Sequence, residues 1–563
     1  MELTGARILV ESLIAQGVEV VFGLPGGSVL DIYDELYERR DVIRHITTSH
    51  EQGAAHAADG YARATGKTGV ALATSGPGAT NLATGLAAAF FDSVPLVAVT
   101  GNVTRDLIGR DSFQELDIIS VTNPLVKHNY FIRDVRELSD TIREAFVIAN
   151  SGRKGPVLID IPKDVAAARA TYAPLGRFAP RPPPKPVESD LVRALQLLES
   201  SRRPLIYCGG GVVFSGGADA LAAFSDKLDA PVCASMMGLS VMPSNSKRFL
   251  GLVGMHGAAA SNRAVGLCDL LVAVGARFSD RVAGNRTHFA DGAKVIHIDI
   301  DPTEIDKNVR ADLSLVADSG VCLSWLTERM EAQRHPDWME EIARLKALDA
   351  PPATEDGGRA VRPWEVISVL GHLLPTDAIV ATDVGQHQMF VARYFPFTRP
   401  RTFLSSCGLG AMGYGLGAAN GAAVGCPGRR VALITGDGSF HMNMSELAVA
   451  VSHRLPILIL VMNNGVLGMV HQWQKLFYGR RFAASEIMRK TDFKALAQAF
   501  GAKGYRVGGR EELAPVLREA LAFEGPSVVD CPLSPDDCVY PIIPPGGRQE
   551  DMILTEDDLI GMR

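Results

Sequence analysis

Three stretches that alternate short apolar runs with alanine-rich segments, parted by two linkers rich in proline and glycine, predict an α/β protein of three doubly wound parallel-sheet domains. A length of 563 residues agrees, allotting three or four domains of ordinary size. In the first stretch Val18–Phe22, Gly69–Thr74, Leu96–Thr100 and Val157–Ile161 read as strands. The run Ala179-Pro180-Arg181-Pro182-Pro183-Pro184-Lys185-Pro186 is too proline-rich for helix or sheet and reads as a stiff, extended linker. Beyond it, Leu205–Cys208, Leu270–Val274 and Val295–Ile300 repeat the strand texture. A polar segment from Asp349 to Arg362, with Pro351-Pro352 and Gly357-Gly358, reads as the second linker. In the third stretch Val431–Thr435 and Ile457–Met462 are the clearest strands. The tail from Tyr540 to Arg563 carries Pro544-Pro545-Gly546-Gly547 and reads as a wrapping or lid-forming segment. The expected domains are 1–172, 187–335 and 363–540, with a tail over 541–563. There is no short-period repeat, and three units of similar size are compatible with duplication.

Composition excludes several function classes. The chain is 47% hydrophobic and 21% charged, as ordinary globular proteins are. A net charge of −7 gives no basic footprint for nucleic acid or an anionic membrane. Apolar runs such as 455–462 are too short to span a bilayer. The eight cysteines are scattered, without CxxC or Cys/His clusters, and read as small buried apolar residues in a reducing compartment. Met1-Glu2-Leu3-Thr4 does not begin a signal pattern. Asn102, Asn285 and Asn443 head Asn-x-Ser/Thr triplets that are chance matches in a cytoplasmic chain.

The chemistry concentrates at strand ends. Gly436-Asp437-Gly438-Ser439 follows one apolar run and Asn463-Asn464 the next. A parallel sheet brings both to its carboxyl edge, where open sheets bind ligands. Asp437, Asn464 and a backbone carbonyl from the turn make a hard oxygen set suited to Mg²⁺ shared with phosphate, which the glycines let approach. Ser49-His50-Glu51-Gln52 reads as a capping box with Ser49 as the cap, placing Glu51 in a first helical turn ahead of a face of alanine and glycine. Glu51 there either complements the helix dipole or, buried beside a nitrogen heterocycle, shares a proton with it. Gly408-Leu409-Gly410-Ala411-Met412-Gly413 formally fits GxGxxG but reads as a decoy for a nicotinamide site.

With Val21-Phe22-Gly23-Leu24-Pro25-Gly26-Gly27, Ala58-Asp59-Gly60-Tyr61-Ala62-Arg63 and Thr74-Ser75-Gly76-Pro77-Gly78-Ala79-Thr80-Asn81, these motifs resemble, in order, the acetohydroxyacid (acetolactate) synthase family of thiamine-diphosphate enzymes over nearly the whole chain. The resemblance implies pyrimidine-binding, central and diphosphate-binding domains in that order. It implies that Glu51 meets the aminopyrimidine and that Pro77 and Asn81 stand beside it. Phe113 and Gln114 would line the active site, with Lys163 near its entrance. Val384, Gly385, Gln386, His387, Gly438, Ser439, Leu467, Gly468 and Met469 would contact thiamine diphosphate. Gly410 and Met412 would cradle and bend it, while Asp437, Asn464 and Val466 hold Mg²⁺.

Arg277-Phe278-Ser279-Asp280-Arg281 fits the family's Arg-Phe-x-x-Arg pattern, which accompanies FAD. The implied flavin residues are Gly209, Gly210, Met255, His256, Gly275, Arg277, Asp280, Arg281, Asp299 and Ile300. The substrates implied are pyruvate and 2-oxobutyrate, with Arg281, Trp473 and Met469 holding the second 2-oxo acid. A homodimer or homotetramer and a small regulatory subunit are also implied. A flavin-free catabolic synthase, a sister decarboxylase or oxidase, and a non-catalytic paralogue are the rival readings. Two departures stand out: Tyr414-Gly415-Leu416-Gly417 has glycine where many members of the family carry proline, and Arg110 stands where many carry an aromatic residue.

Overall fold

The structure, a computed structural model, describes residues 1–349 and 360–559. Three six-stranded parallel sheets, each flanked by helices, form its frame. In the first, the spatial order is Arg44–Thr47, Val20–Gly23, Gly69–Ala73, Leu96–Asn102, Pro156–Pro162, His128–Phe131. In the third it is Phe403–Leu404, Ile379–Thr382, Val431–Gly436, Ile457–Asn463, Ser527–Pro532, Lys503–Arg506, the same permutation of chain order. The middle sheet differs, running Phe249–Leu252, Val232–Ala234, Pro204–Cys208, Leu270–Val274, Lys294–Asp299, Leu313–Val316. The expected strands are recovered within a residue or two. Their continuous apolar runs follow from burial on both faces of a parallel sheet. A short antiparallel pair, Glu2–Thr4 with Arg169–Thr171, ties the first residues to the end of the first unit.

The linker over 179–186 has neither helix nor strand. The central part of the second, 350–359, lies outside the described residues. All eight cysteines are free, and five are buried. Among the described residues no helix is long and apolar enough to cross a membrane.

The first and third units meet along two helices of small residues, Glu51–Thr65 and Tyr414–Gly425. A Cβ at Gly60 would strike the Ala418 carbonyl, and one at Gly421 the Ala57 carbonyl. The backbones therefore approach as only glycine and alanine allow, and the alanine face of the sequence is accounted for. The helix ends at Gly66 in the left-handed conformation, φ 77°. Gly415 donates its N–H to the buried Asp383 at 2.8 Å.

Candidate active site

The carboxyl edge of the third sheet opens into a cleft of ≈ 580 Å³ at the point where strand order reverses. Gly385, at φ 153°, starts the Gln386–Tyr394 helix on one side, and Asp437 starts the Asp437–Asn443 helix on the other. Asp437 is 3% exposed and its Oδ1 has no hydrogen-bond partner. Burial pushes its carboxyl up to about 6, against backbone N–H groups around 437–438 and 464–465 that pull it down. An unpartnered buried carboxylate oxygen is costly unless something occupies it. Asn464 directly follows the neighbouring strand, Ile457–Asn463; its Oδ1 accepts the Val466 N–H at 3.2 Å and its Nδ2 donates to Gln386 Oε1 at 3.2 Å. The residues present fit a hard cation held by one carboxylate, one carboxamide and a turn carbonyl.

His387 adds a second unpartnered atom, Nε2, on a fully buried ring whose pKa burial lowers to about 3. Glycines flank it: a Cβ at Gly385 or Gly436 would come within 3.0 Å of the ring. A neutral imidazole carries one N–H, and the Asp383 carbonyl faces it. Ser439 donates Oγ–H to the Val384 carbonyl at 3.1 Å. Gly438, Met412, Leu467, Gly468 and Met469 complete the walls. Gly468 has no room for a side chain, since its Cβ would collide with Gln386 Oε1. Gly410 lies at φ 71° in the exposed loop that leads to Met412. A buried amide chain sets the geometry: Gln386 Nε2 donates to Gln472 Oε1 and to the Asp537 carbonyl, both at 2.9 Å.

In the first unit Glu51 opens its helix at the carboxyl edge, but the cap differs from the expected box. His50 is the cap, its Nδ1 accepting the Gln52 N–H at 3.1 Å. Ser49 Oγ instead donates to the Ser445 carbonyl at 2.8 Å. The residue that grips this helix start is Glu446, whose Oε1 accepts the N–H groups of Ser49 and His50 at 3.1 and 3.0 Å. Glu51 is half-buried rather than fully buried. Asn81 Nδ2 donates to its Oε2 at 2.9 Å from the Pro77–Asn81 helix. Tyr33 lies nearby with its hydroxyl buried and unpartnered, its ionisation pushed up by burial and by the Glu51 charge. Gln114 sits at φ 59° with its backbone against Gly76, Lys163 is exposed, and Phe113 is 87% exposed. None of these residues lines the third unit's cleft, whose walls lie between Pro363 and Asp537.

The middle unit presents the Arg-Phe-x-x-Arg segment to both neighbours. Arg281, 63% exposed, lies with its guanidinium 5.8 Å from the Trp473 ring centroid, so the two predicted substrate residues do meet. Arg277 donates to the Phe91 carbonyl at 2.7 Å, while Asp280 stays exposed. Gly209, Gly210 and Gly275 stand where this sheet's strand order reverses. The glycines serve protein packing: a Cβ at Gly209 would strike the Gly275 carbonyl, and Gly211 lies against Gly275 Cα. Asp299 ends its strand, with burial raising it to about 6, and accepts the Asp301 N–H at 2.9 Å; Ile300 follows, half-buried. His256 is buried and lowered to about 3. The tail wraps here, with Ile543 N–H on the Met255 carbonyl at 2.8 Å and Ile542 packed near Trp473 and Met255.

Three family models match in order: the thiamine pyrophosphate enzyme N-terminal TPP binding domain over residues 3–121, the central domain over 191–326 and the C-terminal TPP binding domain over 383–531. The chain is 44% identical over 566 residues to an acetolactate synthase large subunit of Parasynechococcus marenigrum (strain WH8102), covering 98% of this chain and 91% of that one. It is 43% identical to a probable acetolactate synthase large subunit of Methanocaldococcus jannaschii, covering 98% and 95%. Against the acetolactate synthase isozyme 3 large subunit of Escherichia coli (strain K12) it is 40% identical over 571 residues, covering 99% of each. The chain belongs to the acetolactate synthase large subunit family of thiamine pyrophosphate enzymes.

For a member of this family, the sequence reading left out several buried groups. Glu446, Gln472, Asp383 and Tyr33 each support a predicted residue, yet none stands in a local motif. The one usable signal was the glutamate of Met444-Ser445-Glu446, a charge in an otherwise apolar helical run.

Proposed function

We propose that this chain decarboxylates pyruvate and joins the two-carbon unit to a second 2-oxo acid, giving 2-acetolactate from pyruvate and 2-aceto-2-hydroxybutyrate from 2-oxobutyrate. These are entry steps to branched-chain amino acids. The observation that carries the reading is the unpartnered Asp437 Oδ1 beside Asn464 at adjacent strand ends, in a chain of this family. When bound, thiamine diphosphate supplies the electron sink for the charge left as a 2-oxo acid loses CO₂.

The chain's own residues do the rest. Asp437, Asn464 and the Val466 carbonyl would hold Mg²⁺, and the neutral His387 ring would stand beside the diphosphate. Gln386 fixes Asn464. Met412, Leu467 and Met469 give apolar walls that exclude water. Glu51 holds and moves a proton at the aminopyrimidine nitrogen, oriented by Asn81. Because Glu51 lies outside the cleft that holds Asp437, the reading takes a second copy of the chain to complete each site, making a dimer the minimum. Phe113, Gln114 and Lys163, exposed or half-exposed at that edge, would face the incoming copy. Arg281 pairs with the carboxylate of the second 2-oxo acid, and Trp473 packs on its side chain.

FAD is assigned to the carboxyl edge of the middle sheet, by Gly209, Gly210, Met255, His256, Gly275, Arg277, Asp280, Arg281, Asp299 and Ile300. Its role would be structural, because joining two oxo acids has no net redox change. The domain bounds 1–172, 187–335 and 363–540 with a tail over 541–563 are supported by the three sheets. The wording "large subunit" in the relatives' names supports a smaller regulatory partner, and a cytoplasmic location accords with the metabolic role.

The test is product analysis after incubation with pyruvate, thiamine diphosphate and Mg²⁺, with and without FAD and 2-oxobutyrate. Flavin-dependent 2-acetolactate is expected. Acetaldehyde as sole product would remove the roles of Arg281 and Trp473, and flavin-independent synthesis would remove the FAD assignment.

A further inference from the structure

Asp92 breaks a local rule. It follows the Ala83–Phe91 helix directly, where a carboxylate opposes the helix dipole, and the next residue, Ser93, is forced to φ 61°. It is also 3% exposed. An unfavourable charge held in a strained turn needs compensation elsewhere in the fold.

Two of its three donors come from another unit. Asp92 Oδ1 accepts the Gly408 N–H at 2.8 Å and Oδ2 the Cys407 N–H at 2.9 Å. Arg63, itself buried, donates to Oδ2 at 2.8 Å. That guanidinium is shared: Asp59 Oδ1 takes its Nε–H at 2.6 Å and also the Tyr414 hydroxyl at 2.5 Å. Two carboxylates thus divide one cation, and the two consecutive amides of Cys407 and Gly408 supply what the second lacks. The contact has no slack, since a Cβ on Gly408 would lie 2.9 Å from both Asp92 Oδ1 and Phe91 Cβ. The gripped residues begin the loop that carries Gly410 at φ 71° and then Met412 on the cleft wall. From the middle unit, Arg277 holds the Phe91 carbonyl, so all three units meet at this turn.

We propose that Asp92 is a positioning residue for the thiamine diphosphate site, its carboxylate fixing the Cys407–Gly408 backbone and so the height of the Gly410–Met412 wall against the cofactor. This rests on the cofactor assignment above. Asp92 touches neither cofactor nor substrate; it acts through the loop. Asparagine in its place offers one carbonyl oxygen to two N–H donors and turns an amide N–H at the other.

The experiment is calorimetric titration of the full-length protein, freed of cofactor, with thiamine diphosphate at saturating Mg²⁺, on wild type, Asp92→Asn and Gly408→Ala. Thermal melting and kcat at saturating cofactor are recorded alongside. Both variants should bind thiamine diphosphate about tenfold more weakly or worse, the scale of a lost charged hydrogen bond, with kcat at saturation largely kept. Gly408→Ala keeps every charged side chain of the Arg63 cluster and displaces the contact only through its Cβ, so it decides the matter if Asp92→Asn melts too early to titrate. Wild-type affinity in Gly408→Ala, or in a folded Asp92→Asn, overturns the proposal. A wild-type protein that binds no thiamine diphosphate overturns the cofactor reading, and this inference with it.

Discussion

The first and third units share one strand order yet carry opposite chemical equipment. The third has a walled cleft with buried, unpartnered atoms on Asp437 and His387. The first offers, at the equivalent edge, a half-buried Glu51, an exposed Lys163 and a Phe113 standing in solvent. Topology alone therefore assigns no role; the turn residues after each strand do. The third unit is built to hold a charged group with its own side chains. The first presents Glu51 on an open face, which the proposed function closes with a second surface.

If that contrast is right, a change on the open face should affect turnover and one in the cleft should affect binding. Glu51→Gln keeps the Asn81 contact within reach but cannot carry a proton. Turnover should fall by about 10²- to 10⁴-fold, the usual weight of a general acid–base group, while the titrated affinity for thiamine diphosphate stays near wild type. Retained turnover would end the proton role. Asp437→Asn removes the only charge of the metal set. Mg²⁺ affinity, measured by titration in the presence of thiamine diphosphate, should drop on the order of 100-fold, since affinity for hard cations follows ligand charge. Unchanged affinity would mean the cation binds elsewhere. Trp473→Leu should leave 2-acetolactate formation in place and erase preference for 2-oxobutyrate, about 1–3 kcal/mol for the extra methylene. Competition between the two oxo acids in one tube reads this directly, and an unaltered product ratio would free Trp473 of the assignment.

Much of this was legible in the chain. Strands buried on both faces read as unbroken apolar runs, and Asp437 and Asn464 follow two such runs directly. The small-residue helix announced a close backbone contact without saying with what. Long-range partners were not legible. The Ser49 box failed because the Ser49 hydroxyl turns to Ser445, 396 residues away, leaving His50 to cap. Gly209 and Gly211 pack against Gly275, and Gly210 against Met237, contacts from elsewhere in the middle unit that the run of glycines does not announce. Asp92 and Glu446 are single charges in apolar surroundings whose backbone partners come from another unit, so no local spacing marks them.

Glu446 gives the finest test of how the two units are joined. It is 0% exposed, its Oε2 has no partner, and burial pushes its carboxyl up to about 7 despite the N–H groups of Ser49 and His50; the Glu51 charge adds to the rise. The unfolded chain would ionise this group near 4.5. Between these values the folded state holds a proton that the unfolded state has released. The contribution to stability is therefore full below about 4.5 and is lost as pH rises through about 7, up to about 3 kcal/mol across the range. Glu446→Gln keeps an oxygen for the two amides and cannot ionise. Thermal melting of both proteins from about pH 5 to pH 8 should find the variant gaining on wild type as pH rises. Parallel curves would mean that Glu446 stays charged throughout. The helix bearing Glu51 would then be held by a permanent anion, which its dipole favours, rather than by a carboxyl whose ionisation burial opposes.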